Sequence, residues 1–223
     1  MSWGGRFLLI VLSLGILTFR AVADTTTEPV SDALRARIAP SLARLYLRNK
    51  TRPENRPCSG FVLRSGELLT CEHCVSDEED CAAMVAEFET TSTRARCRKL
   101  LRVSSLDDIA VVELEWPTNH AAPEGLTLAN RSFTPGHSVV VAGYPVELER
   151  ALKFTSGKVL KAFLPNSINF FHDATTRPGN SGSPVIDPYT WEVVALHCAS
   201  SEFTGTRQAY GARVERIRKL LDQ

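Results

Sequence analysis

The sequence predicts an all-β fold with one α-helix at its C-terminus. Short apolar runs recur along the chain, among them Leu42–Leu47, Ile109–Leu114 and Ser138–Ala142. Proline and glycine separate these runs, for example at Pro135-Gly136. Many short strands with such turn signals between them are typical of a β-sandwich or a β-barrel.

The C-terminal segment has a different periodicity. Four apolar side chains recur at helical spacing between Val214 and Leu221, and basic residues lie between them. This pattern predicts an amphipathic helix over about residues 213–222, docked on the β-structure through its apolar face.

The N-terminus has the order of a secretory signal peptide. Arg6 precedes an apolar run from Phe7 to Phe19, and the small residues of Ala21-Val22-Ala23 follow. The apolar run is shorter than the roughly 20 residues that a membrane-spanning helix needs. We therefore expect a signal peptide over residues 1–23, cleavage after Ala23, and a secreted or periplasmic protein without a membrane anchor.

The composition bounds the remaining chain. The full sequence has 26 Lys and Arg residues against 25 Asp and Glu residues, without a clustered basic stretch. A nucleic-acid partner is therefore not expected. Residues 24–37 are polar and predict a leader or pro-segment. Residues 38–223 are long enough for one large domain or two halves that share a core, and a monomer is favoured.

Six cysteines, at positions 58, 71, 74, 81, 97 and 198, indicate disulfide bonds in an exported chain. Cys71 and Cys74 also have the spacing of a zinc-binding pair. His73 lies between them, however, and no second pair follows downstream. We therefore expect no metal site.

The strongest chemical signal is the segment Pro178–Pro184, with the sequence PGNSGSP. A nucleophilic serine needs a backbone that presents it and amide donors that hold the oxyanion. The glycines beside Ser181 allow a tight turn and the close approach of a substrate carbonyl. The amides of Gly179 and Ser181 would then form an oxyanion hole. The same residue types also make ordinary turns, so the motif needs partners.

Two further motifs supply those partners. His73 follows the apolar pair Leu68-Leu69, and Asp108 precedes the apolar run that begins at Ile109. A serine nucleophile needs an imidazole to take its proton and a carboxylate to orient the imidazole. The sequence therefore predicts a catalytic triad of His73, Asp108 and Ser181, which the fold must bring together.

These three motifs resemble those of the chymotrypsin-like serine proteases, over about residues 38–223. The resemblance implies a serine endopeptidase that acts on protein or peptide substrates without a cofactor. It implies two antiparallel six-stranded β-barrels with the active site between them. The N-terminal barrel would cover about residues 38–128, the C-terminal barrel about 132–212, and the helix about 213–222.

The resemblance also implies one disulfide bond and one choice between neighbouring carboxylates. Cys58, fifteen residues before His73, matches the cysteine that pairs with the residue after the family's histidine. A Cys58–Cys74 bridge is therefore expected. The family pattern makes Asp108, rather than Asp107, the member of the triad.

The remaining cysteines and histidines give weaker predictions. Four cysteines allow three pairing schemes or free thiols. A Cys81–Cys97 bridge would close a polar, acidic loop, and a Cys71–Cys198 bridge would join the histidine strand to the wall of the substrate pocket. Structural roles are expected for three histidines: His120, His137 and His172.

The residues around the serine are similar to those of bacterial glutamyl endopeptidases and HtrA-type proteases, at Gly143–Pro145 and over 176–181. Thr175 occupies the position where trypsin has its aspartate, so a preference for Lys or Arg is not expected. In glutamyl endopeptidases, a threonine and a histidine at the positions of Thr176 and His197 bind the acidic side chain of the substrate. A hydroxyl and an imidazole can hydrogen-bond a carboxylate. The resemblance thus implies cleavage after Glu or Asp.

Two other functions fit the same motifs. One is a catalytically inactive protein that keeps the protease fold and binds a partner. The other is a minimal HtrA-type quality-control protease that acts on unfolded proteins. The chain ends at Gln223, directly after the predicted helix, and we expect no peptide-binding module of the HtrA plan.

Overall fold

The computed structural model describes residues 1, 30–47, 56–146, 151–161, 169–203 and 206–223. The apolar run of the predicted signal peptide, its cleavage site after Ala23 and the first residues of the predicted leader lie outside these ranges. Among the described residues, no helix is both long enough and apolar enough to cross a membrane.

The N-terminal half contains a closed antiparallel barrel. Its strands follow the order β1-β2-β3-β6-β5-β4, and the pairing of β1 with β4 closes it. Inward-facing side chains fill the barrel, as the alternating burial along β4 shows. The six strands are β1 (Leu42–Leu47), β2 (Arg56–Val62), β3 (Leu68–Thr70), β4 (Met84–Phe88), β5 (Thr93–Ser104) and β6 (Ile109–Glu115).

The C-terminal half contains a second six-stranded antiparallel sheet, with the order β8-β7-β10-β11-β12-β9. An isolated bridge between Val159 and His172 links its two edges. The prediction of an all-β fold with two six-stranded β-units is therefore confirmed. The strands are β7 (Ser138–Gly143), β8 (Lys153–Lys158), β9 (Asn169–His172), β10 (Ser183–Ile186), β11 (Val193–Phe203) and β12 (Thr206–Arg213).

The two halves share hydrophobic packing. One cluster of buried side chains fills the first barrel and continues into the second half through Ile186, Leu196 and Ile217. A smaller cluster, which includes Val141 and Phe170, lies within the second half. Because apolar contacts cross the boundary, the two halves are held in a fixed relation, and we call the groove between their facing strand ends the crevice.

Two helices pack on this core. The predicted C-terminal helix is present as α3 (Val214–Leu221), with its apolar face buried. The helix α1 (Asp32–Ile38) begins at the N-cap residue Ser31, whose Oγ accepts a hydrogen bond from the N–H of Leu34 at 3.2 Å. Leu34 and Ile38 are each 1% exposed. The described end of the predicted leader therefore packs on the core.

Two disulfide bonds join neighbouring parts of the first half, Cys58–Cys74 and Cys81–Cys97. The acidic segment that was expected to be a loop contains the short helix α2 (Glu78–Ala83). Its N-cap residue is Asp77, whose carboxylate accepts a hydrogen bond from the N–H of Asp80 at 2.8 Å. Local capping and the adjoining Cys81–Cys97 bridge explain why a helix this short is stable.

Candidate active site

The ends of two paired strands bring His73 and Asp108 together. β3 pairs with β6, and Thr70 lies opposite Ala110. His73 lies just after the end of β3, and Asp108 lies directly before the start of β6. Both side chains are therefore at one edge of the first barrel.

Asp108 holds His73 through two hydrogen bonds. The Nδ1 atom of His73 is 2.8 Å from Oδ2 of Asp108, and the backbone N–H of His73 donates to Oδ1 at 3.0 Å. Two bonds to one carboxylate fix both the position and the rotation of the imidazole. The tautomer with its proton on Nδ1 satisfies the ring bond, which leaves Nε2 able to accept a proton.

The environment keeps Asp108 ionised. Burial of the carboxyl group disfavours its charged form, but the two hydrogen bonds from His73, the electrostatic interaction with that ring and a hydrogen bond from Cys198 outweigh burial. The pKa of Asp108 therefore lies below its ordinary value. Asp108 also has a left-handed backbone conformation, with φ of 53°. This conformation is uncommon for a residue other than glycine, and such residues occur often at functional sites.

The neighbouring Asp107 has different partners. Nε and Nη2 of Arg216, on α3, donate to Oδ1 and Oδ2 of Asp107 at 2.6 and 2.9 Å. The hydroxyl of Ser104 also donates to Oδ2 of Asp107, at 3.0 Å. A bidentate pair of this kind is both strong and directional. The structure therefore places Asp107 against the C-terminal helix, and Asp108 against His73.

Ser181 lies in the turn before β10, on the opposite side of the crevice. Its Oγ donates to the backbone carbonyl of Cys198 at 2.8 Å, and no hydrogen bond joins it to His73 in the described part of the chain. Its own carbonyl accepts a hydrogen bond from the N–H of Ser59, in the first barrel, at 2.7 Å. The Sγ atom of Cys74 is 4.0 Å from that carbonyl oxygen. The serine turn thus lies against the segment that carries His73.

Glycines shape the turn around the serine. Gly179 and Gly182 have φ of 98° and 88°, and a Cβ on Gly179 would lie 2.5 Å from the carbonyl oxygen of Tyr144. Ser59 supports this turn, because its Oγ donates to the carbonyl of Gly179 at 2.8 Å. The N–H groups of Gly179 and Ser181 have no acceptor among the residues that the structure describes. Both amides can therefore donate a hydrogen bond to a group that binds at this turn.

The predicted specificity residues are buried beside this turn. Thr176 is 1% exposed and His197 is 3% exposed, whereas Thr175 is exposed. His172, on β9, contacts His197, with 3.2 Å between its Nε2 and Nδ1 of His197. Burial lowers the pKa of His172 to about 4, so its imidazole is neutral at physiological pH.

The alternative of a zinc pair does not fit the cysteines. Cys74 is bonded to Cys58, so its sulfur is not available as a thiolate beside Cys71. Cys71 and Cys198 are the two free cysteines of the chain, and both are buried.

A family model described as a trypsin-like peptidase domain matches residues 58–196. The matched range includes the segments that carry His73, Asp108 and Ser181. The chain belongs to the trypsin-like peptidases.

Solved structures share the fold of this peptidase domain. The serine endoprotease from Yersinia pestis has a TM-score of 0.69 and 21% identity over 87% of this chain and 66% of its own length. The Rv3671c protease from M. tuberculosis in its active form has a TM-score of 0.68 and 18% identity. That match covers 86% of this chain and 84% of the Rv3671c chain. The expected resemblance to chymotrypsin-like serine proteases is confirmed.

Two residues that support the site of the peptidase domain, Ser59 and Arg216, were not predicted from the sequence. Each acts on a partner far away along the chain. The bond from Ser59 to Gly179 spans 120 positions, and the pair of Arg216 with Asp107 spans 109 positions. No local pattern marks such residues, because only the folded barrels bring them to their partners.

The contact between α3 and the loop before β6 gives a testable prediction. Replacing Arg216 with methionine keeps the bulk of the aliphatic stem but leaves the carboxylate of Asp107 without its bidentate partner. We expect the amides of residues 104–108 to exchange with solvent several-fold faster, because local opening of this loop becomes easier. Hydrogen–deuterium exchange read by mass spectrometry measures this change.

Arg218→Met is the matched control. Arg218 lies on the same helix and donates to the carbonyls of Leu128 and Ala129, not to the loop before β6. Its loss should speed exchange near residues 128–129 and leave residues 104–108 unchanged. Equal exchange of residues 104–108 in Arg216→Met and in the wild type would contradict the assigned role of Arg216.

Proposed function

We propose that the chain is a secreted serine endopeptidase that hydrolyses peptide bonds through a triad of His73, Asp108 and Ser181. The observation that carries the proposal is the pair of hydrogen bonds from His73 to the ionised Asp108 carboxylate. An imidazole held in this tautomer is prepared to remove a proton from a serine hydroxyl. The serine turn beside it supplies that hydroxyl.

The proposed reaction is acyl transfer. Oγ of Ser181 forms a bond to the scissile carbonyl carbon while His73 Nε2 takes the hydroxyl proton. The N–H groups of Gly179 and Ser181 stabilise the oxyanion that develops. His73 then gives its proton to the leaving amine, and the peptide C–N bond breaks. A water molecule, deprotonated by His73, releases the acyl group and regenerates Ser181.

The resting position of the Ser181 hydroxyl is compatible with this reaction. Its hydrogen bond to the carbonyl of Cys198 must be exchanged for one to His73, which requires rotation about the Cα–Cβ bond of the serine. Catalytic hydrogen bonds are often incomplete before substrate binds. The same resting contact is the observation that favours the alternative, an inactive protease-fold protein that binds a partner. Measured peptidase activity distinguishes the two.

We also propose that the pocket prefers Glu or Asp before the scissile bond. Support comes from the positions of the two residues: Thr176 lies five residues before Ser181, and the carbonyl of His197 accepts a hydrogen bond from the N–H of Gly182 at 2.8 Å. Nδ1 of His172 has no hydrogen-bond partner in the described part of the chain. Leaving a buried nitrogen lone pair unpaired costs less free energy than leaving a buried N–H group unpaired. The neutral ring of His172 therefore favours the tautomer with its proton on Nε2. It then donates to Nδ1 of His197, so that a neutral His197 ring carries its proton on Nε2.

Secretion is supported by the chemistry of the cysteines. Two disulfide bonds are present, and disulfides persist mainly in oxidising compartments. Together with the signal-peptide pattern of residues 1–23, they favour an extracellular or periplasmic location. The proposed substrates are proteins or peptides, and the proposed reaction uses no cofactor.

Removal of the nucleophile tests the proposed activity. Ser181→Ala should lower kcat/KM on a peptide substrate by about 10⁵-fold, because the covalent route is lost. The measurement is hydrolysis of a diverse peptide library by purified mature protein, followed by mass spectrometry of the products.

Ser183→Ala is the matched control from the same turn. The Ser183 side chain is buried, and its Oγ has no hydrogen-bond partner within the described ranges. This substitution should leave activity close to that of the wild type. Full activity of Ser181→Ala would disprove the nucleophile, and an inactive wild-type protein would favour the binding function.

The acidic preference is tested with two peptides that differ only in Glu or Gln before the scissile bond. We expect the wild type to favour Glu by about tenfold to a hundredfold in kcat/KM, the effect of a hydrogen bond to a charged group. His197→Gln should bring the ratio close to one, and the exposed His120→Gln should not change it. Equal cleavage of both peptides by the wild type, or a preference for small apolar residues, would refute the assignment of Thr176 and His197.

A further inference from the structure

The two free cysteines meet at the junction of the two halves. Cys71 directly follows β3 of the first barrel, and Cys198 lies on β11 of the second sheet. They are 0% and 3% exposed, and their Sγ atoms are 2.9 Å apart. The other four cysteines form the two disulfide bonds. The chain therefore keeps one pair of thiols in contact, 127 positions apart in sequence.

This pair of thiols adjoins all three residues of the proposed triad. Cys71 lies two positions before His73. The Sγ atom of Cys198 is 3.4 Å from the backbone carbonyl oxygen of Asp108, and the carbonyl of Cys198 accepts the hydrogen bond from Ser181. Both cysteines therefore lie next to segments that carry the proposed triad.

We propose that Cys71 and Cys198 are an oxidisable dithiol that forms a third disulfide bond and joins the two halves beneath the active site. The oxidant is a disulfide, either a small molecule such as oxidised glutathione or a protein of the thiol–disulfide oxidoreductase class. The proposal does not depend on peptidase activity, since the bond can be detected in a protein that cleaves nothing.

The reaction is two successive thiol–disulfide exchanges. One cysteine, as its thiolate, attacks a sulfur of the oxidant, forms a mixed disulfide and releases one thiol. The second cysteine then attacks the sulfur of the first, and the second half of the oxidant leaves as a thiol. Two S–H bonds and the S–S bond of the oxidant are broken. The Cys71–Cys198 bond forms, and two protons pass to the two released thiols.

The geometry favours a disulfide over a metal ion at this place. The two sulfurs and the Asp108 carboxylate lie close enough to be considered as metal ligands. Two thiolates on one tetrahedral zinc ion, with Zn–S bonds of about 2.3 Å, would however be about 3.8 Å apart. The observed separation of 2.9 Å is shorter. Both carboxylate oxygens of Asp108 already accept hydrogen bonds from His73.

Burial controls how the oxidation proceeds. Burial first, and then the contact with Cys198, raise the pKa of the Cys71 thiol well above its ordinary value. The folded protein therefore presents little of the reactive thiolate at Cys71. Oxidation is expected during folding or during transient opening of the crevice, and overoxidation of the closed protein is expected to be slow.

The new bond would restrain the two sides of the crevice. His73 follows the end of β3, and β11 carries His197 of the proposed pocket wall. Among the described cysteines, no other pair joins the two halves covalently. A cross-link between distant parts of a chain stabilises the folded state mainly by restricting the unfolded chain. We therefore expect the oxidised protein to have a higher Tm than the dithiol form.

The test uses the full mature chain and oxidised glutathione as the probe. Protein with free Cys71 and Cys198 is incubated with the probe at a urea concentration just below the unfolding midpoint, so that burial does not block the reaction. Thiols are then counted in denaturant, and disulfides are mapped on unreduced peptides. We expect the count to fall from two thiols per chain to none, with Cys198 joined to Cys71, and the Tm to rise by several degrees.

The double variant Cys71→Ala/Cys198→Ala is the matched control, and its Tm should not respond to the probe. Two thiols that persist after incubation, glutathione adducts on both cysteines, or a bond from Cys198 to another cysteine would each overturn the proposal. So would stoichiometric zinc binding by the wild type that prevents oxidation. None of these outcomes bears on the activity of Ser181, which the alanine variant tests separately.

Discussion

The contact between Ser59 and the serine turn determines whether the proposed catalytic groups can act together. Ser59 belongs to the first barrel, and its N–H and Oγ bind the carbonyls of Ser181 and Gly179 in the second half. These are short, buried bonds, and a buried polar group left unpaired would be costly. The turn of the second half is therefore held against the barrel that carries His73. The other hydrogen bonds of the site orient individual side chains within the arrangement that this contact holds.

Two adjacent carboxylates on the other side of the crevice bind different partners. Asp107 binds Arg216 of the C-terminal helix, and Asp108 binds His73. The left-handed backbone of Asp108 turns the two side chains toward different partners. Through Arg216 and Asp107, the C-terminal helix is thereby joined to the loop that carries Asp108.

More of the fold than of the candidate site could be predicted from the sequence. The strands and α3 follow from apolar periodicity, because each pattern is local. The motifs around His73, Asp108 and Ser181 were recognisable for the same reason. The helix at Asp32–Ile38 was not predicted, because the core buries only Leu34 and Ile38 of its seven residues, too few to establish a helical period. Ser59, Arg216 and the contact of His172 with His197 depend on pairings across the fold, which no local pattern contains.

In the proposed mechanism, His73 activates Ser181 from the other side of the crevice. The most direct measurement is reaction of the folded protein with a fluorophosphonate, which phosphonylates an activated serine, followed by mapping of the modified residue by mass spectrometry. We expect one adduct per chain, on Ser181, that is absent from the unfolded protein and from His73→Ala. A folded protein that takes up no label, or that is labelled at Ser183 instead, would contradict it.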